Sequence, residues 1–197
     1  MSRLANQKMQ RVGLIGGTFD PIHNGHLLLA QFVSEQVFLD KVLFIPAADP
    51  PHKDKVYFSA TARAEMVSRA VDDIDYMFVS KIELDRSGKS YTVDTLRQLR
   101  MQCPGDSYYL IIGEDNVSQI SSWHDPESIL ELCTVVVGTR LTSETVCEEK
   151  FMKRMVLLDT PLFELSSTEI RHRLQSGLPV KGMIPESVEI YIKESGL

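Results

Sequence analysis

The chain has 197 residues, 43% hydrophobic and 24% charged, which gives it enough apolar surface for one sizeable core and excludes global disorder. A net charge of -6 argues against a basic nucleic-acid coat protein, and no apolar run approaches the ~20 residues that span a bilayer. Cys103, Cys133 and Cys147 have neither metal-ligand nor disulfide-framework spacing, and Met1 to Arg11 lacks an apolar signal core, so the expected compartment is the cytoplasm.

Residues 1–10 read as an extension ahead of a single domain spanning 1–197. The first predicted strand is Val12–Gly16, a buried-type apolar run ending in glycine. It leads into Gly16-Gly17-Thr18-Phe19-Asp20-Pro21-Ile22-His23-Asn24-Gly25-His26, and a helix is predicted from about His26. Leu28, Leu29, Phe32, Val33 and Val37 form its apolar face. Glycines after a buried strand let backbone approach a ligand closely. A helix start offers free N–H groups and the positive end of a dipole. His23 and His26, three apart, can face one anion there. The spacing is neither the GxGxxG fingerprint nor a P-loop. Asp20 reads as a turn residue.

The second strand is Val42–Ile45, ended by Pro46. A Pro-rich basic loop, Pro46 to Tyr57, contains Pro50-Pro51-His52-Lys53. Lys53 either meets a phosphate or is solvated. A helix with Ala62, Met66, Val67, Ala70 and Val71 inward precedes the strand Met77–Val79. Ser90-Tyr91-Thr92 opens the next helix, with Thr92 a candidate N-cap and Val93, Leu96 and Leu99 inward. Pro104-Gly105 ends it.

Tyr108–Ile112 is followed at once by Gly113-Glu114-Asp115, and an acidic residue at a strand's carboxyl end can bind ribose hydroxyls. Trp123, the one tryptophan, either packs or stacks on a flat ring. Asp125-Pro126 reads as N-cap and N1 of another helix. Thr134–Val137 and Val156–Leu158 are the last strands, with the polar stretch Thr139 to Arg154 unassigned. Ser166 to Leu174 reads as a helix closed by Gly177, and Ser166 and Glu169 fit a capping box. Ser167, Thr168 and Arg171 add hydroxyls and a guanidinium, making a second phosphate cradle. Pro185 opens the last helix, with Val188, Tyr191 and Ile192 inward.

Strand–helix alternation predicts an α/β, Rossmann-like, doubly wound domain: a mostly parallel sheet with helices on both faces. Ligands bind such sheets at the carboxyl ends of the strands, where each of these motifs falls.

From about Val12 to its C-terminus the chain resembles the nucleotidylyltransferase superfamily with its His-x-Gly-His signature, and within it the bacterial nicotinate-nucleotide adenylyltransferases. The residues that carry the likeness are Gly16 to His26, Pro50 to Lys53, Ser90 to Thr92, Gly113…Asp115…Trp123, Ser166 to Arg171 and Ile184-Pro185…Tyr191-Ile192. The match departs at Glu114 and at Gly138-Thr139-Arg140-Leu141. The resemblance implies transfer of the adenylyl group of ATP to nicotinate mononucleotide. It implies catalytic roles for His23, His26 and Arg171. It implies ATP contacts from Gly16, Gly17, Thr18, Phe19, Gly25, Gly113, Asp115, Arg140, Ser167 and Thr168. His52, Lys53, Tyr91, Thr92 and Trp123 would bind the mononucleotide. Mg²⁺ would arrive with ATP, with no protein side chain as metal ligand and no nucleic-acid or membrane partner. Oligomeric state stays open, a homodimer being one option. Alternatives are a sibling transferase such as a pantetheine-phosphate adenylyltransferase or a cytidylyltransferase, a nucleotide-binding module without catalysis, and a plain interaction domain.

Overall fold

The computed structural model describes residues 9–51, 55–138, 147–161 and 164–196. His52, Lys53, Arg140 and most of the N-terminal extension lie outside the described residues.

The strands are β1 (Arg11–Gly17), β2 (Lys41–Pro46), β3 (Met77–Val79), β4 (Ser107–Ile112), β5 (Thr134–Gly138) and β6 (Met155–Leu158). They form one sheet in the order β3-β2-β1-β4-β5-β6, parallel at every pairing. The continuous apolar runs follow from burial on both faces. Val12, Leu14, Leu110, Ile112, Val135 and Val137 point into one core. Ile15, Ile111 and Val136 point into the other. Successive side chains of a strand alternate faces, so each run feeds two cores at once.

The helices are α1 (Asn24–Val37), α2 (Ala60–Val71), α3 (Thr92–Gln102), α4 (Glu114–Val117), α5 (Pro126–Leu132), α6 (Glu149–Met152), α7 (Ser167–Gln175) and α8 (Glu186–Glu194). Helices α1, α2, α7 and α8 cover the first face, with Val33, Met66, Ile170 and Val188 fully buried. Helices α3, α5 and α6 cover the second through Leu96, Ile129 and Phe151. Ser59 caps α2, Asp125 caps α5 and Ser166 caps α7, each accepting a backbone N–H of the first turn. At the end of α7, Leu178 N–H bonds Arg173 O and Gly177 N–H bonds Leu174 O. Gly177 adopts φ +66°, the left-handed turn this closure requires.

Several expectations are corrected. Helix α1 begins at Asn24, with His23 at its N-cap. Its buried stripe is Gly25, Ala30, Val33 and Ser34, while Leu28 and Phe32 stay half exposed. Small residues prevail because α1 lies tight on the sheet, where the Leu29 side chain occupies the space a Cβ on Gly138 would need. Thr92 is the first residue of α3 and Tyr91 holds the N-cap. Of the Ser166–Glu169 box, the serine arm forms at 3.2 Å, and the Glu169 carboxylate stands 3.9 Å from Arg173. The unassigned polar stretch contains α6, anchored by buried Phe151.

Candidate active site

Strands β1 and β4 are neighbours whose connections run to opposite sides, which makes the crevice above their carboxyl ends the switch point of the sheet. A cleft of about 800 Å³ opens there. Gly16, Gly17, Thr18 and Phe19 line it from β1, His23, Gly25 and His26 from the start of α1, and Gly113 and Asp115 from the end of β4. Ser166, Ser167 and Thr168 close one side, and Tyr91, Thr92, Trp123 and His124 the other. A smaller cavity of about 430 Å³ at the opposite strand ends, beside Val12, Lys41 and Tyr108, brings together no comparable set of glycines, histidines and hydroxyls.

The β1–α1 turn is held open by its own packing. Phe19 adopts φ +48°, a conformation that costs a non-glycine residue ~1 kcal/mol or more. Its ring compensates by burial against Phe44 and stands edge-on to His26 at 5.1 Å. His23 stacks on His26 with ring centroids 3.6 Å apart, and the His23 backbone N–H donates to His26 Nδ1 at 3.2 Å. A Cβ on Gly25 would stand 3.1 Å from His23 Nδ1, so glycine leaves room for that ring. His23 is only 7% exposed, and its Nδ1 is buried without a partner among the described residues. Burial lowers its pKa to about 4, which leaves it neutral at pH 7 and ready to bond a group entering the cleft.

Asp20, expected as a turn residue, sits in the turn and also braces it. It is 2% exposed, and its two carboxylate oxygens accept the N–H groups of Tyr57 and Phe58, both at 2.8 Å. Arg171 donates to the Asp20 carbonyl at 2.7 Å, lies 3.7 Å from its carboxylate, and reaches Thr168 Oγ1 at 3.1 Å. Arg63, 1% exposed, donates to Thr18 O and Phe58 O from below. Ser167 Oγ donates to Pro21 O at 2.9 Å. The two phosphate cradles read from the sequence are therefore tied to one another. Arg171 stands beside the cleft wall, its guanidinium already committed to Asp20 and Thr168.

On the other side Gly113 gives way to Asp115, whose Oδ1 would stand 2.7 Å from a Cβ on that glycine. The Tyr91 and His124 rings lie 4.4 Å apart, at the start of α3. Trp123 packs in part on the core and also lines the cleft.

The cleft thus gathers every predicted site residue that lies among those described, with Arg171 at its edge. Asp20, Arg63, Glu83 and His124 were not predicted. For Arg63 a signal existed, since a charge at a position flanked by Ala62, Met66 and Val67 on an apolar stripe demands a buried partner. For Asp20 the partners Tyr57, Phe58 and Arg171 are remote in sequence and leave no local trace, and for Glu83 an isolated carboxylate in a polar stretch carries no sign of its burial. Among the described residues no group of three or more His, Cys, Asp or Glu is arranged to hold a metal ion, and no helix is long and apolar enough to cross a membrane.

The sequence model of the cytidylyltransferase-like family matches residues 14–173. A Desulfitobacterium hafniense protein named "Probable nicotinate-nucleotide adenylyltransferase" is 40% identical over 201 residues, covering 98% of this chain and 97% of that protein. One of the same name from Dictyoglomus thermophilum is 39% identical, covering 95% and 98%. The fold matches Plasmodium falciparum nicotinic acid mononucleotide adenylyltransferase complexed with NaAD, at TM-score 0.79, 20% identity and coverage of 95% and 97%.

Proposed function

Because the chain belongs to the nicotinate-nucleotide adenylyltransferases of the cytidylyltransferase-like family, we propose that it joins nicotinate mononucleotide to the adenylyl group of ATP, releasing pyrophosphate and forming nicotinate adenine dinucleotide. The observation that carries this reading is the switch-point cleft itself. It has two phosphate-type helix starts on one side and an aromatic pocket on the other.

The reaction presses two anions together. A 5′-phosphate oxygen of the mononucleotide attacks the α-phosphorus of ATP in line, and the bond from that phosphorus to the bridging oxygen of pyrophosphate breaks. No protein nucleophile is needed, so catalysis consists of positioning and charge stabilisation. His23 and His26 grip the transferring group at the start of α1. Gly16, Gly17, Thr18, Phe19 and Gly25 bring backbone to it. The N–H groups of Ser167 and Thr168, the first of α7, hold the β- and γ-phosphates, which depart as pyrophosphate. Arg171 swings from the Asp20 carbonyl toward the same group. Asp115 and Gly113 meet the adenosine ribose. Trp123 stacks on the pyridine ring, and Tyr91 and Thr92 present the start of α3 to its carboxylate. By the family resemblance, Lys53 with His52 is assigned to neutralising the mononucleotide phosphate and Arg140 to the adenine. Mg²⁺ would arrive with the triphosphate and would supply charge neutralisation there. The side chains named here hold the phosphates rather than the cation.

The test is pyrophosphate release with Mg·ATP, comparing nicotinate with nicotinamide mononucleotide. Strong preference for the acid is expected. Equal use of the two overturns the substrate assignment, and no release with either, despite ATP binding, overturns the activity.

A further inference from the structure

Glu83 lies between β3 and α3, at the border of the cleft. It is 7% exposed, and nothing in the reaction calls for a carboxylate there. A negative group beside a pocket for an anionic nucleotide repels rather than binds, so its role lies in the bonds it makes. Its Oε1 accepts from the Thr95 hydroxyl at 2.6 Å, and the Ser90 hydroxyl stands near enough to favour its charged form. The Arg86 guanidinium donates to Thr95 Oγ1 at 3.1 Å and balances the buried charge.

A carboxylate is an acceptor only, so it draws the Thr95 hydroxyl proton toward itself and offers an acceptor on the side of Ser90. Ser90 Oγ is then left to accept from elsewhere, and it takes the N–H groups of Ala48 at 3.0 Å and Asp49 at 3.3 Å. Ser90 N–H returns a bond to Asp49 O at 3.0 Å. The loop after β2 is thereby fastened to the turn that starts α3. One end of this lock carries Pro50 and Pro51 and the other carries Tyr91 and Thr92, and all four line the cleft.

We propose that Glu83 is a positioning residue for the mononucleotide: by orienting Ser90 and Thr95 it locks the loop after β2 onto the start of α3, so that the two walls of that half of the cleft keep a fixed separation. The identity of the ligand rests on the function proposed above, but the lock does not.

Two variants test it, Glu83→Gln and Ser90→Ala. The first reverses the proton direction by introducing a donor, and the second removes the shared oxygen while disturbing less of the core. Hydrogen–deuterium exchange of the substrate-free protein should show faster exchange at Ala48 and Asp49 in both variants. In steady-state assays KM for nicotinate mononucleotide should rise ~10-fold in each, the scale of one charge-assisted hydrogen bond, with KM for ATP within about twofold of wild type. Because both act on one lock, the double variant should be no worse than the worse single variant. Unchanged exchange at Ala48 and Asp49 in a folded Ser90→Ala protein overturns the lock whatever the substrate. Equal rises in both KM values overturn the assignment to the mononucleotide half. A wild-type enzyme that rejects nicotinate mononucleotide defeats the proposed function, and the exchange result still decides the lock.

Discussion

Buried neutral His23 makes the substrate-free protein acid-sensitive in a way that can be calculated. In an unfolded chain the imidazole titrates near 6.5, and in the folded cleft burial holds it down to about 4. Above pH 6.5 both states are neutral there and the residue adds no pH dependence. As pH falls below 6.5 the unfolded chain takes up a proton that the folded chain refuses, so stability is lost with acidification until about pH 4. One proton contributes about 1.4 kcal/mol per pH unit. Between pH 7 and pH 5 His23 alone should therefore remove about 2 kcal/mol, and about 3 kcal/mol by pH 4. Other groups titrate over the same range, so the measurement is a difference. Urea unfolding of wild type and His23→Gln at pH 7, 6 and 5 should give a shallower loss for the variant, by about 2 kcal/mol at pH 5. Parallel pH profiles for the two proteins would refute the reasoning, because they would mean that the folded state protonates His23 as readily as the unfolded one.

Further outcomes follow from other parts of the cleft. His26→Ala should lower kcat by ~10²–10³-fold, the cost of one preorganised charge-stabilising donor, and near wild-type turnover in a folded protein removes the role. Asp20→Ala leaves two backbone N–H groups and Arg171 without their carboxylate. Urea titration at pH 7 should show a loss of ~3–5 kcal/mol, and a loss below about 1 kcal/mol would make Asp20 a plain turn residue after all. Trp123→Ala should raise KM for the pyridine nucleotide ~5- to 150-fold, the range of a base-stacking contact of ~1–3 kcal/mol, and leave KM for ATP unchanged. An unaltered KM for the pyridine nucleotide puts the indole wholly in the scaffold.

All six strands were legible because a strand buried on both faces writes a continuous apolar run, and Val12–Gly16, Tyr108–Ile112 and Thr134–Val137 are such runs. The lining of the cleft is legible because glycines, histidines and hydroxyls crowd beside strand and helix ends. Four-residue helices such as α4 and α6 are too short to show a period. The start of α1 falls two residues before the expected one because histidine is not a common N-cap, and its face keeps Leu29, Val33 and Val37 on the core while Ala30 and Ser34 take the places of Leu28 and Phe32. The braces were invisible for another reason. Asp20 bonds Phe58 and Arg171, and Ser90 bonds Ala48, across separations that no local pattern encodes. Their energetic weight lies in burial, which sequence does not report for a single polar residue.

The bonds that finish the β1–α1 turn come from very late in the chain. Pro21 O waits for the hydroxyl of Ser167, 146 residues on, and Asp20 O for Arg171, 151 residues on. Asn24 takes its backbone and side-chain acceptors from Met183 and Gly182. During synthesis the glycine-rich turn therefore emerges among the first segments and stays unfinished through most of translation. A ribosome-bound fragment stopping before residue 167 carries all six strands but lacks α7 and its Ser167 and Arg171 bonds to the turn, so the loop-closure entropy of joining the two is still to be met. Nucleotide affinity should then appear abruptly once residues 167–183 have emerged rather than grow with chain length.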